Sequence, residues 1–363
     1  MILNIQVLRG LAALAVVFYH TDFRLNGNVH TDFQGVSIFF IISGFIMTYI
    51  IHNNADQFFT RRIIRIVPLY WILTLTAFVL FNIVIPGLWH ISRYPGLLKE
   101  ALKIENLLIL AKSFFFIPYQ GAAAFGFPYL GVGWTLNLEM FFYLVLAFML
   151  LFSKKWAPVS ACLILIGIKI INFVTEDSLP ILKFYGHAYT TFFILGVFSY
   201  YLWTVLNKSK IINKQVVIVP IGVITTSCFL ALNAGYFGDY NVYLSYFMPF
   251  SLVLIALLLY STYIQWTWKP VLILGDASYA LYLCHTVWLE MQTSLANQIP
   301  ILNFKHSLIG VIVALFISCL VAVFIHNKIE KPVIEMLRQK IFTERLDFRS
   351  KLIKLLGEQL GNF

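Results

Sequence analysis

The sequence predicts an all-α integral membrane protein: a polytopic bundle of about ten transmembrane helices with both termini cytoplasmic. Three observations carry that prediction. Hydrophobic residues make up 60% of the chain and charged residues only 12%, where a soluble domain carries roughly 25% charged residues. Apolar runs long enough to cross a bilayer recur along the chain. Lys and Arg alternate between rich and poor connecting segments, the pattern that sets orientation in a membrane.

The apolar runs cover about residues 4–23, 36–53, 66–88, 132–152, 156–174, 187–206, 215–233, 244–264, 271–295 and 307–326. The first begins almost at Met1 with no small-residue cleavage motif behind it, so it reads as an uncleaved signal. Run 107–117 is too short to span and reads as interfacial or re-entrant. With the N-terminus inside, seventeen Lys and Arg fall on inner segments, among them Arg61, Arg62, Arg65, Lys154, Lys155, Lys208, Lys210, Lys214 and Lys269. Seven fall outside: Arg24, Arg93, Lys99, Lys103, Lys112, Lys183 and Lys305. Arg9 and Lys169 sit within spans.

The net charge of +10 is therefore read as topology, and no nucleic-acid partner is expected. After Lys328 apolar and charged residues alternate, as in a helix lying on the inner membrane surface against anionic lipid. This divides the chain into a transmembrane domain, 1–330, and a basic amphipathic tail, 331–363, with no repeat and no appended soluble domain. Cys162, Cys228, Cys284 and Cys319 each lie in an apolar run without metal-ligand spacing. They read as small buried hydrophobes, and no metal is expected.

Ionisable groups inside spans are costly and need a reason. "RGLAALAVVFYH" places Arg9 and His20 eleven residues apart on one helix face, about 16 Å along the axis. Glu139, in "GVGWTLNLEMFFY", lies about 10 Å below the outer boundary by the same rise. Ser43, in "FFIISGF", reaches a similar depth. His285, in "SYALYLCHTVW", also falls in the outer half and shares a face with Ser278 and Tyr282. His20, Ser43, Glu139 and His285 would line one cavity if their helices are neighbours. A single intramembrane His or Ser serves equally as an interhelical hydrogen bond. A histidine with a carboxylate at matched depth is a general-base pair.

"RRIIRIVPLYW" carries the second cluster. Arg61 and Arg65 are one turn apart, flanked by Arg62, at the inner mouth of the third span. Positive-inside charge accounts for them; an anion clamp is the alternative, since guanidinium binds phosphate bidentately. A phosphate-bearing donor held there, with a long thin arm passing Arg9 toward His20, would have the shape of coenzyme A.

These motifs, in this order, resemble the membrane acyltransferase-3 family of bacteria, near the exopolysaccharide and O-antigen O-acetyltransferases. The resemblance rests on "LRGLAALAVVFYH", "GVSIFFIISGFIM", "FFTRRIIRIVPLYW", "GVGWTLNLEMFFY", "LGDASYALYLCHTVW" and "IEKPV", and covers nearly the whole chain. It implies an acyl-CoA donor, acetyl-CoA in the first place, and a carbohydrate hydroxyl of a polysaccharide or lipid-linked glycan as acceptor. It gives His20 the catalytic role, with Glu139 as acidic partner and Arg9 alongside. Arg61, Arg62 and Arg65 would serve the donor, and Ser43, Trp134, Tyr282 and His285 the substrate. It implies a multi-pass protein of the bacterial inner membrane. Ser37 stands where many members have Asp, and the esterase-like C-terminal domain of longer members is not expected here.

The mechanism expected is direct transfer, with His20 taking the proton of a sugar hydroxyl that attacks the thioester. A two-step route through acyl-His20 remains open. The rival reading is a transporter of a lipid-linked sugar or an anion, since intramembrane Arg, His and Glu also line substrate pathways.

Overall fold

A computed structural model describes residues 2–21, 35–86, 94–118, 128–176, 178–209, 213–233, 241–298 and 308–341. Every element among them is helical. In chain order these are α1 (Leu3–His20), α2 (Gly35–Asn53), α3 (Phe58–Val79), α4 (Tyr94–Ala101), α5 (Ile104–Phe114), α6 (Gly133–Leu150) and α7 (Ala157–Val174). There follow α8 (Pro180–Tyr185), α9 (Thr190–Lys208), α10 (Lys214–Asn233), α11 (Asn241–Ser261), α12 (Lys269–Asp276), α13 (Ser278–Gln298) and α14 (Leu308–Ile325).

Among the described residues each of the ten expected runs falls mainly on helix, but they do not all make straight spans. Among the described residues seven helices are long and apolar enough to cross a membrane: α1, α2, α3 with its π-helical continuation to Val84, α6, α7, α9, and α14 continued to Ile341. An eighth crossing is reached only if α12 and α13 count as one broken span, bent by 76°. α10 and α11, of 20 and 21 residues, contain the apolar stretches Lys214–Cys228 and Ser245–Ser261. The protein is thus a multi-pass helical membrane protein.

The bend between α12 and α13 has a local cause. Gly275 packs so close to α1 that a Cβ there would meet the Gln6 carbonyl well inside 3.0 Å. The Gln6 amide donates to Asp276 Oδ1 at 2.5 Å, fixing the corner. Hydropathy averages across such a corner, so "LILGDASYALYL" reads as one run. The short run 107–117 is the helix α5, which the Trp71 indole ties to α3 by donating to the Phe114 carbonyl at 2.9 Å. The helix after Leu308 continues unbroken through residues 326–341, across the position where the tail was expected to begin. Arg24, Arg93, Lys210, Lys305 and the tail after Ile341 lie outside the described residues.

The core sits between α1, α2, α6 and α9, where Val17, Ile38, Ile41, Phe45, Leu138, Phe142 and Phe193 are fully buried. Leu163, Phe198, Phe316 and Leu320 point outward, as lipid-facing side chains do. Small residues let α2 and α9 touch backbone to backbone. A Cβ on Gly44 would strike the Phe193 carbonyl, and one on Gly196 the Ile41 carbonyl, both closer than 3.0 Å. Gly196→Val is therefore expected to destabilise the bundle by about 1–3 kcal/mol, the usual cost of overpacking. A lowered melting midpoint of the purified protein in detergent checks this, and an unchanged midpoint would show that the crossing can give way.

Candidate active site

Two cavities share the centre of the bundle. The first, about 790 Å³ with its open mouth, is lined by Arg9 from α1, Ser43 and Met47 from α2, Arg62 and Arg65 from α3, Glu139 and Tyr143 from α6, and Ser278 and Tyr282 from α13. The second, about 710 Å³ with its own open mouth, is lined by His20, Ala77, Tyr129, Trp134, Thr286 and Glu290. They are offset along the bundle. α1 gives Arg9 to the first and His20 to the second, about 16 Å further along the axis.

The arginine cavity is built by helical spacing. α3 begins at Phe58, earlier than expected, so the arginines are helical residues and not a mouth ahead of a span. Arg62 and Arg65, at i and i+3, then share the inward face. Arg61, expected beside Arg65, is not among the residues lining this cavity. Arg62 Nε is buried with no hydrogen-bond partner. Arg9 is aimed by Gln6, whose Oε1 lies 3.5 Å from Arg9 Nη1 and whose amide is anchored on Asp276.

Glu139 does not meet His20. It accepts from Ser43 Oγ at 3.0 Å and from the Tyr143 hydroxyl in a shorter bond, while Ser43 and Tyr143 lie 2.8 Å apart. Thr135, Glu139 and Tyr143 follow one another at four-residue spacing, so α6 presents them on one stripe. That spacing was open to reading from the sequence, and Tyr143 and Thr135 are the site residues it would have added. Gln6, Asp276 and Tyr279 also belong to the cavity or its support; Tyr279 donates to the Ile66 carbonyl at 2.7 Å.

His20 is exposed in the second cavity. Its Nδ1 lies 2.8 Å from the Val16 carbonyl. In a neutral imidazole that nitrogen must be the donor, which leaves the lone pair on Nε2. The nearest ring is His285, edge-on at 5.0 Å. His285 itself is fully buried and is not among the residues lining either cavity. Ser43 and Tyr282 face the arginine cavity, and Trp134 faces the His20 cavity. The four polar residues expected around one cavity are thus divided between two and a wall.

Trp134 extends an aromatic rim: its ring is 5.7 Å from His187 and 5.4 Å from Tyr189, and those two stack at 5.3 Å. Burial, with Lys169 nearby, holds His187 below the ordinary imidazole range. Lys169 donates to the Gly186 and His187 carbonyls at 3.1 and 2.9 Å, which gives a cation within α7 its partners. Among the described residues no group of three His, Cys, Asp or Glu side chains is placed to hold a metal ion.

A model of the acyltransferase domain matches residues 2–326. The chain is 25% identical over 359 aligned positions to the peptidoglycan O-acetyltransferase OatA of Listeria monocytogenes, covering 90% of this chain and 56% of that protein. It is 26% identical over 357 positions to the O-acetyltransferase OatA of Staphylococcus aureus, again 90% of this chain and 56% of the relative. Over 144 positions it is 32% identical to the exopolysaccharide production protein ExoZ of Rhizobium meliloti, covering 39% of this chain and 41% of that one. The chain spans about half the length of the curated relatives it matches. No solved structure matches it at a significant level.

Proposed function

Because the chain belongs to the acyltransferase family, we propose that it moves an acetyl group from acetyl-CoA to a hydroxyl of a cell-surface or lipid-linked carbohydrate. The observation that carries this reading is the convergence of Arg9, Arg62 and Arg65 on one largely apolar cavity beside the His20 cavity. Guanidinium groups suit the phosphates of the donor. The apolar lining from Val36, Phe39 and Ile46 suits its thin arm. Trp134 and the rings beside it offer a flat face to a sugar.

In the reaction proposed, His20 Nε2 takes the proton of the acceptor hydroxyl. The hydroxyl oxygen bonds to the thioester carbonyl carbon, the carbon–sulfur bond breaks, and the thiolate leaves with the proton returned by His20. Holding both substrates beside one base supplies most of the rate, through orientation and general-base catalysis. Glu139 serves the donor side, where it balances the arginines. The relatives' printed names, peptidoglycan O-acetyltransferase and exopolysaccharide production protein, favour a glycan acceptor. The matching membrane is the bacterial inner membrane, with both termini and the arginine cavity on the cytoplasmic side.

The test is calorimetric binding of acetyl-CoA to the purified protein, wild type against the Arg62→Ala, Arg65→Ala double variant. Saturable binding that weakens about tenfold or more in the double variant is expected, since two charge-assisted contacts are removed. Absence of binding by a folded wild type would remove the donor from the reading.

A further inference from the structure

The two cavities meet at one wall, and the wall is hydrogen-bonded shut. Thr135 and Tyr282 face the arginine cavity, while Val132 and Trp134, both just before Thr135 in the chain, face the His20 cavity. Tyr282 Oη and Thr135 Oγ1 are 2.7 Å apart. Both hydroxyls reach the Val132 carbonyl, Thr135 at 2.9 Å and Tyr282 at 3.3 Å. Phe39 holds the Tyr282 ring edge-on at 5.9 Å.

Behind the wall stands His285, three residues further along α13. Its ring lies 6.0 Å from that of Tyr282 and 5.0 Å from that of His20. Its Nδ1 is 3.0 Å from the Leu281 carbonyl, so the neutral ring carries its lone pair on Nε2. That atom is buried and has no partner. Buried acceptors left unsatisfied are rare and call for an explanation.

We infer that Tyr282 is the residue that parts the two cavities and opens between them, its hydroxyl passing from Thr135 to Nε2 of His285. This rests on the donor reading proposed above, because the arm of a donor held by Arg62 and Arg65 must cross this wall to reach His20. The tyrosine has an acceptor in both positions. Shut, it bonds Thr135 and the Val132 carbonyl; open, it satisfies the atom that is orphaned in the shut form. His285 is then a positioning residue that acts through Tyr282.

The two partners make opposite predictions. Thr135→Val keeps the shape and removes the nearer of the two shut-state partners, leaving the longer bond to the Val132 carbonyl. His285→Phe removes the open-state partner. The readout is passage of the arm itself, measured in the full chain in nanodiscs with Cys162, Cys228, Cys284 and Cys319 replaced by serine and His20→Cys introduced. The probe is the pyridyl disulfide of coenzyme A. The introduced thiolate attacks the coenzyme sulfur, a new S–S bond forms, and pyridine-2-thione leaves and is read by absorbance.

Labelling at position 20 is expected to speed up with Thr135→Val and slow down with His285→Phe, each by about two- to tenfold, the factor one hydrogen bond of ordinary strength is worth. Affinity for acetyl-CoA, titrated alongside, reports that each variant is folded, and labelling is compared at saturating probe so that the rate reads passage of the arm alone. Changes of the same sign, or no change, overturn the gate while leaving the donor reading intact. So does a protein that binds the probe but is never labelled at position 20. A wild type that binds no acetyl-CoA overturns the donor reading and the gate with it.

Discussion

Replacing His20 by alanine is expected to lower acyl transfer by about 10²–10⁴-fold, the range a positioned general base supplies, while acetyl-CoA affinity stays within about twofold. The split follows from where the residue sits. His20 is exposed in the second cavity, and none of the arginines lines that cavity. Its Nδ1 is engaged by the Val16 carbonyl, one turn back on its own helix, which fixes the ring and leaves Nε2 for the acceptor. Measuring kcat and donor affinity separately decides the matter: kcat should fall and affinity should not. Loss of both together would place His20 in donor binding or folding. Retained turnover would remove it from the chemistry altogether. The covalent route through acyl-His20 gives the same loss but differs in kinetics, because it requires ping-pong behaviour, whereas direct transfer requires both substrates bound at once.

The order of helices and the depth of each polar residue were legible in the sequence, because both follow from counting at 1.5 Å per residue along runs of known polarity. Adjacency was not. Depth puts His20, Ser43, Glu139 and His285 at similar levels, yet α6 turns Glu139 toward Ser43 and Tyr143, and α13 buries His285 in a wall. The rotation of a helix about its axis is set by packing against its neighbours, which counting along the sequence does not give. Rotation also explains the arginines. Starting α3 at Phe58 makes Arg62 and Arg65 the inward pair, although Arg61 and Arg65 looked better matched in a linear reading. The bend at Asp276 was hidden for a different reason: a corner made by Gly275 and a Gln6–Asp276 hydrogen bond leaves no break in hydropathy. What could have been read, and was not, is the stripe Thr135–Glu139–Tyr143, whose four-residue spacing declares a common face.

Glu139→Gln is the substitution that separates charge from hydrogen bonding in the arginine cavity. Among the described residues lining it Glu139 is the one carboxylate, facing Arg9, Arg62 and Arg65. Glutamine keeps an acceptor oxygen for Ser43 and Tyr143, so the local bonds survive and only the negative charge is lost. Removing one side of a buried charge cluster costs about 3–5 kcal/mol; an open mouth admits water, so about 1–3 kcal/mol is expected here. The variant should therefore melt earlier than wild type. An anion that binds the arginines should repair it, because ligand binding stabilises the folded state in proportion to its affinity. Adenosine 3′,5′-bisphosphate, which carries the donor's phosphate and no thioester, is the probe, and it should raise the melting midpoint of the variant more than that of wild type. Should the variant instead melt with wild type, bind acetyl-CoA with wild-type affinity and yet transfer nothing, then Glu139 acts on the reacting groups. The wall at Tyr282 would in that case have to open far enough to bring the carboxylate to His20.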